Sequence, residues 1–224
     1  MSANLMSLAS SGGKFLKLFG DRKMMKPLPY DAEVEYLESS GTQWINTGHA
    51  VNYNNYVGSE FEVRFQLLEA TSLDTKLFGA IQGLMLSTIL GNWRTMIGVN
   101  FVDSGVPVDT NVHTVRITES KTYMDWDELN SKSMWRSLDN LGGPLYLFAA
   151  MSTLTNTPSI QTRSAHREFS AKISRDGIDV FNSIPVRFTN ENGESEGAMF
   201  DRVSGQLFRN AGTGAFIIGP DKTI

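Results

Sequence analysis

Three carboxylates crowd into four residues at Asp125-Trp126-Asp127-Glu128, within the segment Lys121-Thr122-Tyr123-Met124-Asp125-Trp126-Asp127-Glu128-Leu129. Two carboxyls several ångströms apart are what glycoside hydrolysis requires, one as acid and one as nucleophile or base. Trp126 and Trp135 lie in or beside the polar stretch from Asp125 to Asn140. Sugar rings stack their apolar faces on exposed indoles while polar neighbours bond the hydroxyls, so Trp126 and Trp135 are the candidate carbohydrate contacts. Against this stands partial burial, since tryptophan is rarely fully exposed. Trp44 and Trp93 fall in strand-like contexts and read as core.

Other chemistries find little support. His49, His113 and His166 are isolated in the sequence, with no HExxH or comparable cluster, and read as strand or loop residues. The absence of cysteine removes disulfides, thiolate ligands and a cysteine nucleophile. Gly12-Gly13-Lys14 lacks the preceding glycine of a phosphate-binding loop and follows no strand.

The chain has 224 residues, of which 41% are hydrophobic and 10% aromatic, enough for the core of one all-β domain. Its net charge of -4 is unevenly spread. Lys14, Lys17, Arg22, Lys23 and Lys26 against Asp21 give the first 26 residues +4, leaving -8 on the remainder. An acidic body argues against nucleic-acid binding, which needs a basic surface. No run reaches the roughly 18 apolar residues of a membrane-spanning helix, so membrane insertion is not expected. Met1 to Gly13 has no Lys or Arg and its apolar stretch is broken by Ser7, Ser10 and Ser11, which is not the pattern of a secretory signal.

Residues 1–29 read as a basic docking arm and residues 30–224 as the body. Ser10-Ser11-Gly12-Gly13 is a flexible break, Phe15, Leu18 and Phe19 fall at helical spacing, and Pro27-Leu28-Pro29 stops any helix before the body. Phe15, Leu18 and Phe19, with Lys14 and Lys17, are the expected assembly contacts; the alternative is a partly disordered terminus.

After Tyr30 the period becomes two. Phe61, Val63, Phe65 and Leu67 alternate with Glu62, Arg64 and Gln66, the pattern of a half-buried antiparallel strand. Val112 to Thr118 and Phe169 to Ser174 alternate likewise, whereas Leu145 to Ala150 is almost wholly apolar and predicts a central strand buried on both faces. Asp176-Gly177 and Asn192-Gly193 are tight-turn signals. Many short strands between turns predict a two-sheet sandwich.

Two distant segments carry a resemblance. Val34-Glu35-Tyr36-Leu37-Glu38-Ser39-Ser40-Gly41-Thr42-Gln43-Trp44-Ile45-Asn46-Thr47-Gly48 and Phe200-Asp201-Arg202-Val203-Ser204-Gly205-Gln206-Leu207-Phe208-Arg209-Asn210-Ala211-Gly212-Thr213-Gly214 are similar to the opening and closing signatures of laminin-G-like (concanavalin A-like) jelly-roll domains. Such domains occur in gut-bacteriophage tail, fibre and head proteins and in bacterial surface proteins. The resemblance implies an all-β, two-sheet antiparallel jelly-roll sandwich behind the arm, with a terminal strand returning beside the first. It also implies that Asp127-Glu128 stands at the turn of a hairpin. Enzymes of this fold carry a Glu-x-Asp-x-(x)-Glu strand, and this chain has no Glu-x-Asp, so the expectation is a non-enzymatic module. Calcium enters by resemblance alone. Asp103, Asp109, Asp125 and Asp127 offer oxygens, but their spacing approaches no ordered calcium loop and no metal or other cofactor is assigned.

The expected role is a structural or adhesion protein of a bacteriophage virion, assembled in the host cytoplasm. The arm would dock on scaffold proteins or on further copies of the chain, and the sandwich would face a cell-surface glycan. The rivals are a bacterial surface or secreted carbohydrate-binding protein and a glycoside hydrolase.

Overall fold

A computed structural model gives the fold. It describes residues 27–50, 58–80, 84–97, 100–130, 143–152, 157–159 and 165–223. No helix is present among them. The strands, in chain order, begin with β1 (Ala32–Glu33), β2 (Leu37–Ser39), β3 (Ile45–Ala50), β4 (Ser59–Leu67), β5 (Thr75–Ala80) and β6 (Leu84–Ile89). Next come β7 (Asn92–Ile97), β8 (Asn100–Pro107), β9 (Val112–Ile117), β10 (Thr122–Met124), β11 (Asp127–Asn130), β12 (Pro144–Leu147) and β13 (Ala150–Ser152). The last are β14 (Thr157–Ser159), β15 (His166–Arg175), β16 (Ile178–Thr189), β17 (Ser195–Asp201), β18 (Gln206–Arg209) and β19 (Ile217–Ile218).

One sheet runs β11-β10-β9-β4-β15-β16-β17-β18, with β2 joining β15 to β19 and β1 alongside β16. The other runs β14-β13-β5-β6-β7-β8, with β12 between β5 and β3. Pairing is antiparallel apart from β13 on β5. The two sheets pack as a sandwich of jelly-roll type. Phe61, Val63, Phe65 and Leu67 of β4 all point into the interior, where the Phe61 ring lies 5.3 Å from Phe78 and the Phe65 ring 5.6 Å from Trp93 of the facing sheet. Each such side chain contributes about 1.5–3 kcal/mol by leaving water.

Two strands depart from their sequence patterns. On β15 the register shifts between Glu168 and Ser170, which reverses the side-chain parity. Ala171 and Ile173 stay in the core as expected, but Phe169 turns outward, 5.8 Å from Tyr36 and beneath the Arg64 guanidinium at 5.2 Å. Leu145 to Ala150 is fully buried as its composition predicts, yet it is not one strand. Phe148 takes a left-handed φ of 63° and divides it into β12 and β13.

The turns follow their signals. Asp176 and Gly177 both have positive φ, 50° and 76°, and close the β15–β16 hairpin in two residues. The β16–β17 turn is longer, with Asn190 Oδ1 accepting the N–H groups of Asn192 and Glu194 at 2.9 Å each.

The opening and closing segments meet in space. β19 pairs with β2, Val34 bridges Asp221, Ala211 N–H donates to the Trp44 carbonyl at 2.8 Å, and Thr213 N–H donates to that of Thr42 at 3.0 Å. Gly212 is required by this approach: a methyl group there would strike the Thr42 carbonyl oxygen and the Trp44 indole.

The arm residues Lys14, Phe15, Lys17, Leu18 and Phe19 lie outside the described residues. Pro27, Leu28 and Pro29 are exposed. Tyr30 then folds over the outward face of the larger sheet, its ring 4.9 Å from Phe200, against a small apolar cluster of Ile184, Val186, Phe188, Ala198 and Phe200.

Candidate functional site at the β10–β11 hairpin

Pairing of Met124 with Asp127 leaves Asp125 and Trp126 as a two-residue turn, with φ values of 50° and 77°. The hairpin is present, but its turn lies two residues earlier than expected. Asp127 and Glu128 are strand residues, facing Met124 and Tyr123. The reason is local chemistry at Asp125. Its Oδ1 accepts the Thr114 N–H at 2.8 Å, its own N–H donates to the Thr114 carbonyl at 2.8 Å, and its Oδ2 lies 2.6 Å from His113 Nδ1. Aspartate tolerates the left-handed region, and these bonds over-determine it there. Trp126 is consequently placed where such a turn prefers glycine, a conformation that costs on the order of 1–3 kcal/mol for a bulky residue.

The outcome is an indole held in solvent. Trp126 is 70% exposed, so partial burial is not its state. Trp135 lies outside the described residues. Trp93 is buried in the core as its context predicts, and Trp44 is half-buried, 5.2 Å from Tyr146.

Around Trp126 the outward face of the sheet is aromatic and charged. The Arg116 guanidinium is 4.9 Å from the Tyr123 ring, 5.7 Å from the Trp126 ring and 3.4 Å from Glu60. Glu128 shares the Tyr123 register and is bonded by Lys121 Nζ at 2.6 Å. The Trp126 indole offers a stacking surface, and the Arg116 guanidinium beside it offers donors for hydroxyl groups.

His113, isolated in the sequence, is not isolated in the fold. Its Nδ1 meets Asp125 Oδ2 at 2.6 Å and its Nε2 meets Asp109 Oδ1 at 2.8 Å, with the Trp93 ring 5.7 Å and the Phe65 ring 6.1 Å away. Burial alone would depress its pKa. The hydrogen bonds and charges of Asp125 and Asp109 outweigh burial and hold it above the ordinary histidine value. Asp109 is held low, despite some desolvation, by the Asn111 N–H and by His113.

Of the four aspartates offered for calcium, Asp109 and Asp125 are thus engaged by one imidazole, while Asp103 Oδ1 accepts the Gly105 N–H. Among the described residues no group of three or more His, Asp or Glu side chains is arranged to hold a metal ion. The other histidines are elsewhere. His49 stacks edge-on against Phe181 at 5.3 Å, and burial lowers its pKa. His166 is buried beside Glu168, at 3.4 Å.

A polar, half-open cavity of about 500 Å³ lies near the other edge of the same sheet, walled by Glu194, Glu196, Arg209 and the loop from Asn210 to Phe216. Its Asn210 is already spent on the Trp44 and Gly212 N–H groups and the Gly214 carbonyl. No protein-family model matches the chain, and no curated protein shows significant similarity to it.

Proposed function

We propose that this chain is a non-enzymatic adhesion module of a bacteriophage particle, docked through its N-terminal arm and contacting a cell-surface glycan through the tip of the β10–β11 hairpin. The observation that carries the reading is Trp126, 70% exposed and fixed at a turn whose backbone conformation disfavours a bulky side chain. Unfavourable backbone at an exposed aromatic is best understood as serving contact with a ligand. The resemblance of the opening and closing segments to laminin-G-like domains supports the virion setting. The non-enzymatic reading is supported by the state of the nearby carboxyls: Asp125 is tied to β9 and His113, and Glu128 to Lys121.

A glycan array, followed by calorimetry on the best ligand, tests the proposal together with a reducing-sugar assay on the same polysaccharides. Wild-type protein should bind without turnover. Trp126→Ala should lose about 1–3 kcal/mol of binding, the scale of one aromatic stacking contact, with an unchanged melting temperature. A blank array, binding untouched by Trp126→Ala, or turnover that Glu128→Gln abolishes would each overturn the reading.

A further inference from the structure

The Asp109–His113–Asp125 arrangement makes a demand on protonation that follows from its geometry. A neutral imidazole carries one N–H and one lone pair, yet here both ring nitrogens lie within hydrogen-bond distance of carboxylate oxygens, at 2.6 and 2.8 Å. Only the imidazolium can donate to both. Loss of its proton leaves a nitrogen lone pair facing an anionic oxygen, and one of the two contacts must open.

What is tied together is specific. Asp109 belongs to the loop before β9, His113 to β9 itself, and Asp125 is the first residue of the turn that holds Trp126. Asp125 is also bonded in both directions to Thr114. The charged groups acting on His113 are these two carboxylates, while β4 and β7 present the rings of Phe65 and Trp93 to it.

We propose that Asp109, His113 and Asp125 form a pH-sensitive latch that fixes the hairpin tip, so that deprotonation of His113 releases the Asp125 turn and weakens contacts made by Trp126. The last step rests on the reading of Trp126 as a ligand contact; the latch itself does not. The direction follows from the bonds. His113 is held above its ordinary value of about 6.5, so the latch is closed at and below that pH and opens as pH rises through the folded-state value. The raised group contributes stability below its unfolded pKa and loses it on the alkaline side.

The test uses the full chain. Imidazole NMR resonances follow His113 across pH, assigned by their loss in His113→Gln. Hydrogen exchange, corrected for its intrinsic pH dependence, follows the Thr114 and Asp125 amides, with the Gly193 amide of the β16–β17 turn as control. His113 should titrate above about 6.5, and protection of Thr114 and Asp125 should fall by about tenfold through that titration while Gly193 is unaffected. Asp109→Asn, at a half-exposed position, should lower the His113 pKa without unfolding the chain, which keeps the test valid should His113→Gln fold poorly. An ordinary or lowered His113 pKa, or protection that does not change with its titration, overturns the latch. Glycan affinity measured at the same pH values separates the two readings. A latch that opens in a protein binding no glycan at any pH sinks the adhesion proposal alone. Affinity that is unchanged while the hairpin loosens sinks the coupling.

Discussion

Phe148 donates its backbone N–H to Glu168 Oε1 over 2.9 Å, and both residues are buried in the sandwich interior. The bond explains why the apolar run from Leu145 to Ala150 breaks into two strands. A left-handed Phe148 turns its N–H out of the ladder, and a carboxyl arriving from the other sheet accepts it. The Phe148 ring then packs 4.7 Å from Phe216 and 5.1 Å from His166. Glu168 Oε2 has no hydrogen-bond partner among the described residues.

Replacing Glu168 by glutamine should therefore stabilise the protein at high pH. Desolvation raises the Glu168 pKa, and the His166 contact and Phe148 N–H only partly oppose it. A raised folded-state value means that full stability is present below the unfolded value of about 4.3 and is lost as pH rises through the folded one. Glutamine retains an acceptor for Phe148 and carries no charge. Urea melts at pH 8 should favour Glu168→Gln by about 1–3 kcal/mol, with a smaller difference at pH 5. Glu168→Ala, which leaves the Phe148 N–H unpaired, should be less stable than wild type at pH 5. A wild type more stable than Glu168→Gln at pH 8 would mean that the ionised carboxyl is well compensated.

Asp201 should behave in the opposite sense. Its carboxylate accepts N–H groups from Asn182, Val203 and Ser204 at 2.8, 3.1 and 3.0 Å, and the Ser204 hydroxyl at 2.6 Å. Despite desolvation, these bonds lower its pKa. The stability it contributes is present above the unfolded value of about 3.9 and is lost as pH falls through the folded value. Asp201→Ala should cost about 2–3 kcal/mol at pH 7 by stranding several donors. It should also flatten the acid limb of the stability profile, read by thermal melts from pH 7 to pH 3.

These residues mark how far the sequence was legible. The strand of Phe61 to Leu67 and the Asp176-Gly177 turn were readable because period and turn chemistry are local. In the closing segment the structure gives a physical role to residues that the sequence only lists in order: Asp201 gathers the N–H groups of the next turn, and Gly205 follows with a φ of 71°. Phe169 was misplaced because a bulge has no compositional mark. His113 is the strand residue its context predicts, but its two carboxylate partners are not legible in sequence because they stand 4 residues before it and 12 after it, and only the β9–β10 pairing brings Asp125 back beside it. Placing β9 and β10 in one hairpin would have shown the contact, since Met124 opposite Val115 sets Asp125 next to Thr114.

Removing residues 1–29 should separate folding from assembly. Among the described residues this deletes only Pro27, Leu28 and Pro29, all exposed. The retained chain begins at Tyr30, whose ring covers Phe200, and continues into Asp31, which accepts the Thr189 hydroxyl at 2.8 Å. The inter-sheet core draws on residues from Val34 to Phe216 and is untouched. The deleted segment holds Phe15, Leu16, Leu18 and Phe19 together with the +4 charge of its first 26 residues, a composition suited to burial against an acidic partner such as a second copy of this body. The truncated protein should melt cooperatively, close to the full chain in temperature, but elute as a monomer in light-scattering chromatography where the full chain forms larger species. Extending the deletion through Tyr30 should lower stability by about 0.5–1.5 kcal/mol for the aromatic pair, beyond the area it exposes. Truncated protein that still assembles would show that other surfaces hold the assembly together, and one that fails to fold would place residues 1–29 within the domain.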